Sequence, residues 1–261
     1  MASGTRRGDS NPGRSLLTAH DPPPVEVINP DGASSFLLLG DHAGNAIPVC
    51  LGTLGLGQAD LVRHIAWDIG VDDLGTKLAT RLDATFIRQN YSRLVVDCNR
   101  HPGASDAFAE ISDGIRVPGN QALSQAACAD RLAAIHEPYQ QAIAGELRRR
   151  DATGRHSVLV ALHSFTPVLG ARPRPWEIGV MYDGGATGFA RRLLARLQCA
   201  GRLTVGDNEP YRLDDTDYVI PRHAYPALRD YVEIEIRQDL LDTPDKRTGW
   251  ALLLVDALKT A

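Results

Sequence analysis

Residues 157–164 read SVLVALHS: the six residues Ser157 to Leu162 carry no charge and run straight into His163 and Ser164. A run this short and this apolar predicts a strand buried on both faces. Such a strand belongs to a sheet covered by helices on both sides. Sheets of that kind bind their ligands beyond the carboxyl ends of the strands, where the loops diverge. A histidine at that place sits in a dry region and must find polar partners there.

The same pattern recurs on either side. Phe36 to Leu39 is a second apolar run, stopping at Gly40-Asp41-His42, and Ala84 to Ile87 is a third. Leu94, Val95 and Val96 read as another strand, leading into Asp97-Cys98-Asn99-Arg100. Ile178 to Met181, Leu203 to Val205 and Tyr231 to Ile236 complete the set. Between them the apolar residues fall at helical spacing, over Val71 to Leu82, Ala122 to Arg150, Phe189 to Leu197 and Thr248 to Leu258. Short strands alternating with helices predict an α/β sandwich. No internal repeat or linker interrupts residues 25–261, which read as a single domain. Residues 1–24 hold Arg6, Arg7 and Arg14 among Gly, Ser, Asn and Pro and are expected to form a disordered tail. The longest irregular stretch, His101 to Gly119, is a candidate loop at the border of a site.

Bulk properties narrow the function. The chain of 261 residues is 43% hydrophobic and 23% charged, ordinary for a water-soluble globular protein. A net charge of -4 argues against a nucleic-acid binder while leaving room for a small anionic ligand held by a few arginines. No apolar run is long enough to span a membrane, and the N-terminus lacks the apolar core of a secretory signal. Cys50, Cys98, Cys128 and Cys199 are scattered, which speaks against a disulfide framework or a zinc knuckle and fits a reducing cytoplasm.

The residues after the apolar runs carry the chemistry. They are Asp41 and His42, then Asp97, Asn99 and Arg100, then His163 and Ser164, with Glu233, Glu235 and Arg237 alternating against Val232, Ile234 and Ile236 along the last strand. Two imidazoles and a carboxylate can hold zinc and leave a position for water, and a nearby carboxylate can take that water's proton. Each piece has a plainer alternative. His42 beside glycine can be a loop or capping residue, and the Glu233-Glu235-Arg237 face can be a solvated one with internal ion pairs. Arg100 can cap a helix or pair with an acid, or fork onto a substrate carboxylate with Asn99 as second donor.

Seven segments, GDHAGNAIP (40–48), HIAWDIG (64–70), YSRLVVDCNR (91–100), ALHSF (161–165), GDNEPY (206–211), YVIPRHAY (218–225) and VEIEIRQDL (232–240), resemble the N-formylglutamate amidohydrolase family. That family is in turn similar to zinc carboxypeptidases and aspartoacylase-like hydrolases. The resemblance implies a three-layer αβα sandwich around a mixed, largely parallel sheet, and a single divalent metal ion, zinc, as cofactor. It implies His42 and His163 as metal ligands, Asn99 and Arg100 as a carboxylate clamp, and Glu235 as general base. The substrate it implies is a small anionic N-acyl amino acid, N-formyl-L-glutamate, cleaved to formate and glutamate. The related carboxypeptidases place a ligand Glu three residues after the first His, where this chain has Asn45. Asp68 is the expected third ligand, with Asp72 and Asp41 as alternatives and helix capping as the plain reading of Asp68. Arg93, Arg222 and His223 also fall in these segments. One arginine, Arg93, is expected to polarise the scissile carbonyl, and Arg222 and His223 to bind distal substrate groups. For Arg93 surface ion pairing remains open, and for Tyr211 and Tyr182 simple aromatic packing does. A different N-acyl or short-peptide substrate remains open too, as does a non-catalytic binding protein that has lost its metal.

Overall fold

A computed structural model gives the fold and describes residues 15–261. The strands are β1 (Val25–Ile28), β2 (Phe36–Gly40), β3 (Thr85–Gln89), β4 (Ile111–Ser112), β5 (Ile115–Arg116), β6 (Val158–Phe165), β7 (Val168–Leu169), β8 (Arg172–Pro173), β9 (Ile178–Met181), β10 (Val205–Asp207) and β11 (Asp230–Arg237). The α-helices are α1 (Gln58–Leu61), α2 (Val71–Leu82), α3 (Gln125–Arg131), α4 (Glu137–Ala152), α5 (Gly188–Cys199), α6 (Val219–His223) and α7 (Pro244–Thr260). Seven strands form the central sheet in the order β1-β3-β2-β6-β11-β9-β10. β3, β2, β6 and β11 run parallel to one another, while β1 and the β9–β10 pair run against them. The sheet is mixed and mostly parallel, with helices flanking it, as a three-layer sandwich requires.

The most apolar run is the central one. β6 lies between β2 and β11, and all eight of its residues are buried. A strand whose first five residues, Val158–Leu162, are all apolar has no stable place at an edge, where it would face water, so its composition and its position agree. In α2, Val71, Leu74, Gly75, Leu78, Ala79 and Leu82 form the buried stripe, and Asp72 and Asp73 sit in the first turn, where the helix dipole favours acids. Gly75 is required by contact: a Cβ there would lie 2.3 Å from the Phe86 ring of β3.

Three sequence expectations change. The helix expected over Ala122 to Arg150 is broken into α3 and α4 by a wider turn at Leu132–His136, in which Glu137 N bonds Leu132 O. Pro138 lies just beyond and supplies no N–H to the helical ladder, which accounts for the interruption. Leu94, Val95 and Val96 are buried but form turns rather than a strand, with Val95 N bonded to Ser92 O and Arg100 N to Asp97 O. His163 and Ser164 belong to β6 itself instead of following it.

Of the expected tail, residues 1–14 lie outside the described residues. Residues 15–24 run along the domain, where Tyr91 Oη donates to Pro22 O at 2.6 Å and Asn90 Nδ2 to Pro23 O at 2.9 Å.

Candidate metal centre and active site

Three loops are laced together at the carboxyl edge of β2, β3 and β6. Asp68 N donates to His42 O at 2.9 Å, so the segment after β2 and the segment before α2 share a backbone bond. Ala46 N donates to Asn90 O and Ser92 N to Ala46 O, tying the first loop to the turns after β3. Gly44 makes the close approach possible, because a Cβ there would stand 2.1 Å from the Asn90 carbonyl carbon. Ser92 Oγ and Arg93 N both donate to Ala66 O and close the triangle. Asp68 therefore does not cap α2. The N-cap is Gly70, held at a positive φ of 85°, and the Asp68 side chain is left for other partners.

Those partners are the two histidines. His163 Nδ1 lies 2.9 Å from Asp68 Oδ2 and His42 Nδ1 lies 3.6 Å from the same oxygen. One ligand atom from each of His42, Asp68 and His163 falls within 4.8 Å of the others, and all three residues are buried. Asn45 takes no part, since its Nδ2 donates to Leu61 O. The far side of each imidazole meets a second acid. His42 Nε2 donates to Asp97 Oδ1 at 2.7 Å, and His163 Nε2 stands 3.5 Å from Asp41 Oδ2. His42 Nδ1, on the side facing Asp68, is buried and has no hydrogen-bond partner. His–carboxylate pairs of this kind orient the imidazoles of metal sites.

The electrostatics describe a pocket with excess negative charge. Burial presses His163 toward neutrality, but Glu233, Asp41 and Asp68 outweigh it and hold its pKa well above the ordinary histidine value. Burial and Arg93 oppose a charge on His42, and Asp97 and Asp68 still raise it. Asp68 and Asp97, although buried, stay ionised far below the usual carboxylate range, because the imidazoles and Arg93 bond or face them. A divalent cation among these donors would offset the same charge directly. The donor set, two imidazoles and a carboxylate with an orphaned nitrogen among them, fits such an ion.

A cavity of about 290 Å³ opens beside this group, lined by His42, Arg93, Asn99, Arg100, His163 and Glu235 among others. That is close to the lower end of the range for small-molecule sites, roughly 300–1,000 Å³. Glu235 pairs with His163 across the β6–β11 register and has one buried oxygen, Oε2, without a partner. Burial pushes its pKa up to about 8, with Asp68 adding to the rise and His163, Arg93 and Arg174 opposing it. Arg93 is held by Asp97 Oδ2 at 3.3 Å and Asp68 Oδ1 at 3.2 Å.

Asn99 and Arg100 reach the cavity wall with several of their donors already engaged by acids. Asn99 Nδ2 and Arg100 Nη1 both donate to Asp217 Oδ1, at 3.1 and 3.3 Å, and Arg100 Nε lies 3.1 Å from Asp106 Oδ2. Asn99 Oδ1 accepts from Tyr218 N and Val219 N at the start of α6. Arg222 and His223 do not line the cavity. Arg222 bonds and stacks on Tyr218, and His223 Nε2 bonds Gln140 Oε1 at 2.8 Å. Asp72 pairs with Arg88, away from the histidines. Tyr211 lines the cavity; Tyr182 does not, and its Oη donates to Asp207 Oδ1.

Sequence reasoning missed Asp217 and Arg174. Asp217 sits in an acidic run, DDTD, that reads as solvated surface, and Arg174 lies in an RPRP stretch without periodicity. Only their distant partners, Asn99 and Tyr211, reveal them.

Comparison with known proteins supplies the family and the fold. The family model of N-formylglutamate amidohydrolase matches residues 34–241. The crystal structure of an Agrobacterium tumefaciens gene product superposes with a TM-score of 0.90 at 35% identity, covering 94% of this chain and 96% of that one. The N-formylglutamate amidohydrolase of Ralstonia eutropha JMP134 shares the fold, with a TM-score of 0.65 at 18% identity over 91% of this chain and 98% of that chain. Among curated proteins none matches significantly. No helix among the described residues is long and apolar enough to cross a membrane. With the family model spanning most of the domain and every element of the site, the chain belongs to the N-formylglutamate amidohydrolase family.

Proposed function

We propose that the protein is a metal-dependent amidohydrolase that cleaves the N-formyl group from an acidic amino acid, N-formyl-L-glutamate, to give formate and glutamate. The observation that carries this reading is the convergence of His42, Asp68 and His163 beside the unpartnered carboxylate oxygen of Glu235. His42, Asp68 and His163 would hold the ion, which by family resemblance is zinc. When bound, such an ion supplies a Lewis acid for the amide carbonyl and makes a neighbouring water more acidic.

The chain's own residues do the rest. Glu235 takes the proton of the attacking water and returns it to the leaving amine nitrogen, which converts an amide anion into a good leaving group. Its buried, unpartnered Oε2 beside His163 is the atom that would take and return that proton. Arg93, fixed by Asp68 and Asp97, places its remaining N–H groups at the oxygen where negative charge develops. Asp97 keeps the His42 imidazole oriented. Asn99 and Arg100 hold the 212–218 segment through Asp217 and so shape the far wall of the cavity.

A panel of formyl, acetyl and succinyl derivatives of glutamate, aspartate and a neutral amino acid tests the assignment. Highest kcat/KM on N-formyl-L-glutamate supports it. Preference for a bulkier acyl group or a neutral amino acid would reassign the substrate within the same chemistry.

A further inference from the structure

Arg174 is 8% exposed, yet its only side-chain hydrogen bond among the described residues runs from Nη1 to Tyr211 Oη at 2.8 Å. Its guanidinium lies 4.5 Å from the Tyr211 ring centroid and 5.8 Å from that of Phe165, the last residue of β6. No carboxylate of the described residues forms an ion pair with it. The other two inner arginines of the site differ. Arg93 is paired with Asp68 and Asp97, and Arg100 with Asp106 and Asp217. A buried guanidinium without an anion is costly, and a bound carboxylate is the simplest group to offset that cost.

The placement suits a ligand. Arg174 follows the β7–β8 hairpin, its backbone N is pinned to Pro167 O at 2.8 Å, and its guanidinium lies behind the cavity wall, against Phe165 at the end of β6 and bonded to Tyr211. Tyr211 lines the cavity. Because arginine only donates, Tyr211 Oη is the acceptor in their bond, and its hydroxyl hydrogen remains free to donate to a second group. A guanidinium edge and a phenol O–H held side by side form a receptor for one carboxylate.

We infer that Arg174 and Tyr211 read a carboxylate of the substrate, and that this pair, rather than Asn99 and Arg100, sets the preference for an acidic amino acid. The inference rests on the amidohydrolase reading of the same site. It transfers the carboxylate-binding role from an arginine paired with two acids to one that forms no ion pair among the described residues and faces Glu235 only at longer range.

The test compares the metal-loaded wild type with R174Q, R174K and Y211F, using glutarate binding by calorimetry. KM is then measured for N-formyl-L-glutamate and for its two mono-amides, N-formyl-L-glutamine and N-formyl-L-isoglutamine. R174Q should weaken glutarate binding by about 10-fold or more, the scale of a lost charge-assisted bond. It should also abolish the KM advantage of the diacid over one of the mono-amides, with R174K and Y211F falling between. Unchanged glutarate affinity, or an equal change in kinetics on all three substrates, overturns the inference and leaves Arg174 as a neighbour that only tunes Glu235. Should R174Q fail to fold, Y211F decides on the same readouts, since it removes one hydroxyl. If the wild type hydrolyses none of the three substrates, the amidohydrolase reading fails, while the glutarate comparison still judges the arginine.

Discussion

Glu235 stands in register with His163 on adjacent parallel strands, so a candidate base and a candidate metal ligand are held apart by one strand spacing of the most buried part of the sheet. Neither depends on a loop for its position. In the proposed mechanism the metal ligand and the base would therefore be set by the same hydrogen-bond ladder, with the loops supplying the remaining groups.

Glu235→Gln keeps the shape of that side chain and removes its basicity. We expect kcat to fall by about 10²–10⁴-fold, the usual worth of a positioned acid–base group, while the metal content of the protein is unchanged. Stopped activity together with lost metal would instead make Glu235 a ligand.

Asp97 touches His42 at the nitrogen facing away from Asp68. Replacing it with Asn should lower metal affinity by about 10–100-fold, as for other carboxylates that orient metal-binding histidines. Competition with a chromogenic chelator measures this. An Asp97→Asn protein that binds metal like the wild type would remove Asp97 from the site.

The Arg100–Asp217 contact is expected to be an energetic link rather than an empty clamp. A double-mutant cycle of Arg100→Ala and Asp217→Ala, followed by denaturant unfolding, should give a coupling of about 0.5–3 kcal/mol. A coupling near zero would release Arg100 for the substrate carboxylate.

His223 makes stability depend on pH. Burial, with smaller contributions from Arg222 and Arg229, lowers its pKa from 6.5 to about 4. Gln140 Nε2 donates to Cys98 O, so Gln140 Oε1 accepts from His223 and fixes a neutral imidazole. In the window between those two values the unfolded chain binds more protons than the native one. Stability contributed by the neutral ring is therefore complete above 6.5 and declines as pH falls toward about 4. The total is on the order of 3 kcal/mol. The difference in unfolding free energy between wild type and His223→Gln should slope across that window, and a flat difference would contradict the assignment.

The central strands were legible because β2, β6 and β11 are buried on both faces and carry continuous or alternating apolar residues with chemistry at one end. His42, His163 and Glu235 could be read for the same reason. Leu94–Val96 misled, since an apolar triplet is buried equally well in turns that are bonded to Ala66 and Ser92. Arg100 was legible in part, since pairing with an acid was one of its readings but the acid itself was not identifiable. Its position beside Asn99 was plain, but Asp217, more than a hundred residues away, takes its charge, and no local pattern records that contact. Arg174 stayed hidden for the converse reason, being defined by the partner it lacks.

The most direct test of a metal-dependent deformylase measures formate and glutamate released from N-formyl-L-glutamate before chelation, after chelation and after zinc is restored. The account predicts equal amounts of the two products, activity lost with the metal and recovered with about one ion per chain. Undiminished hydrolysis by a protein stripped of metal would contradict it.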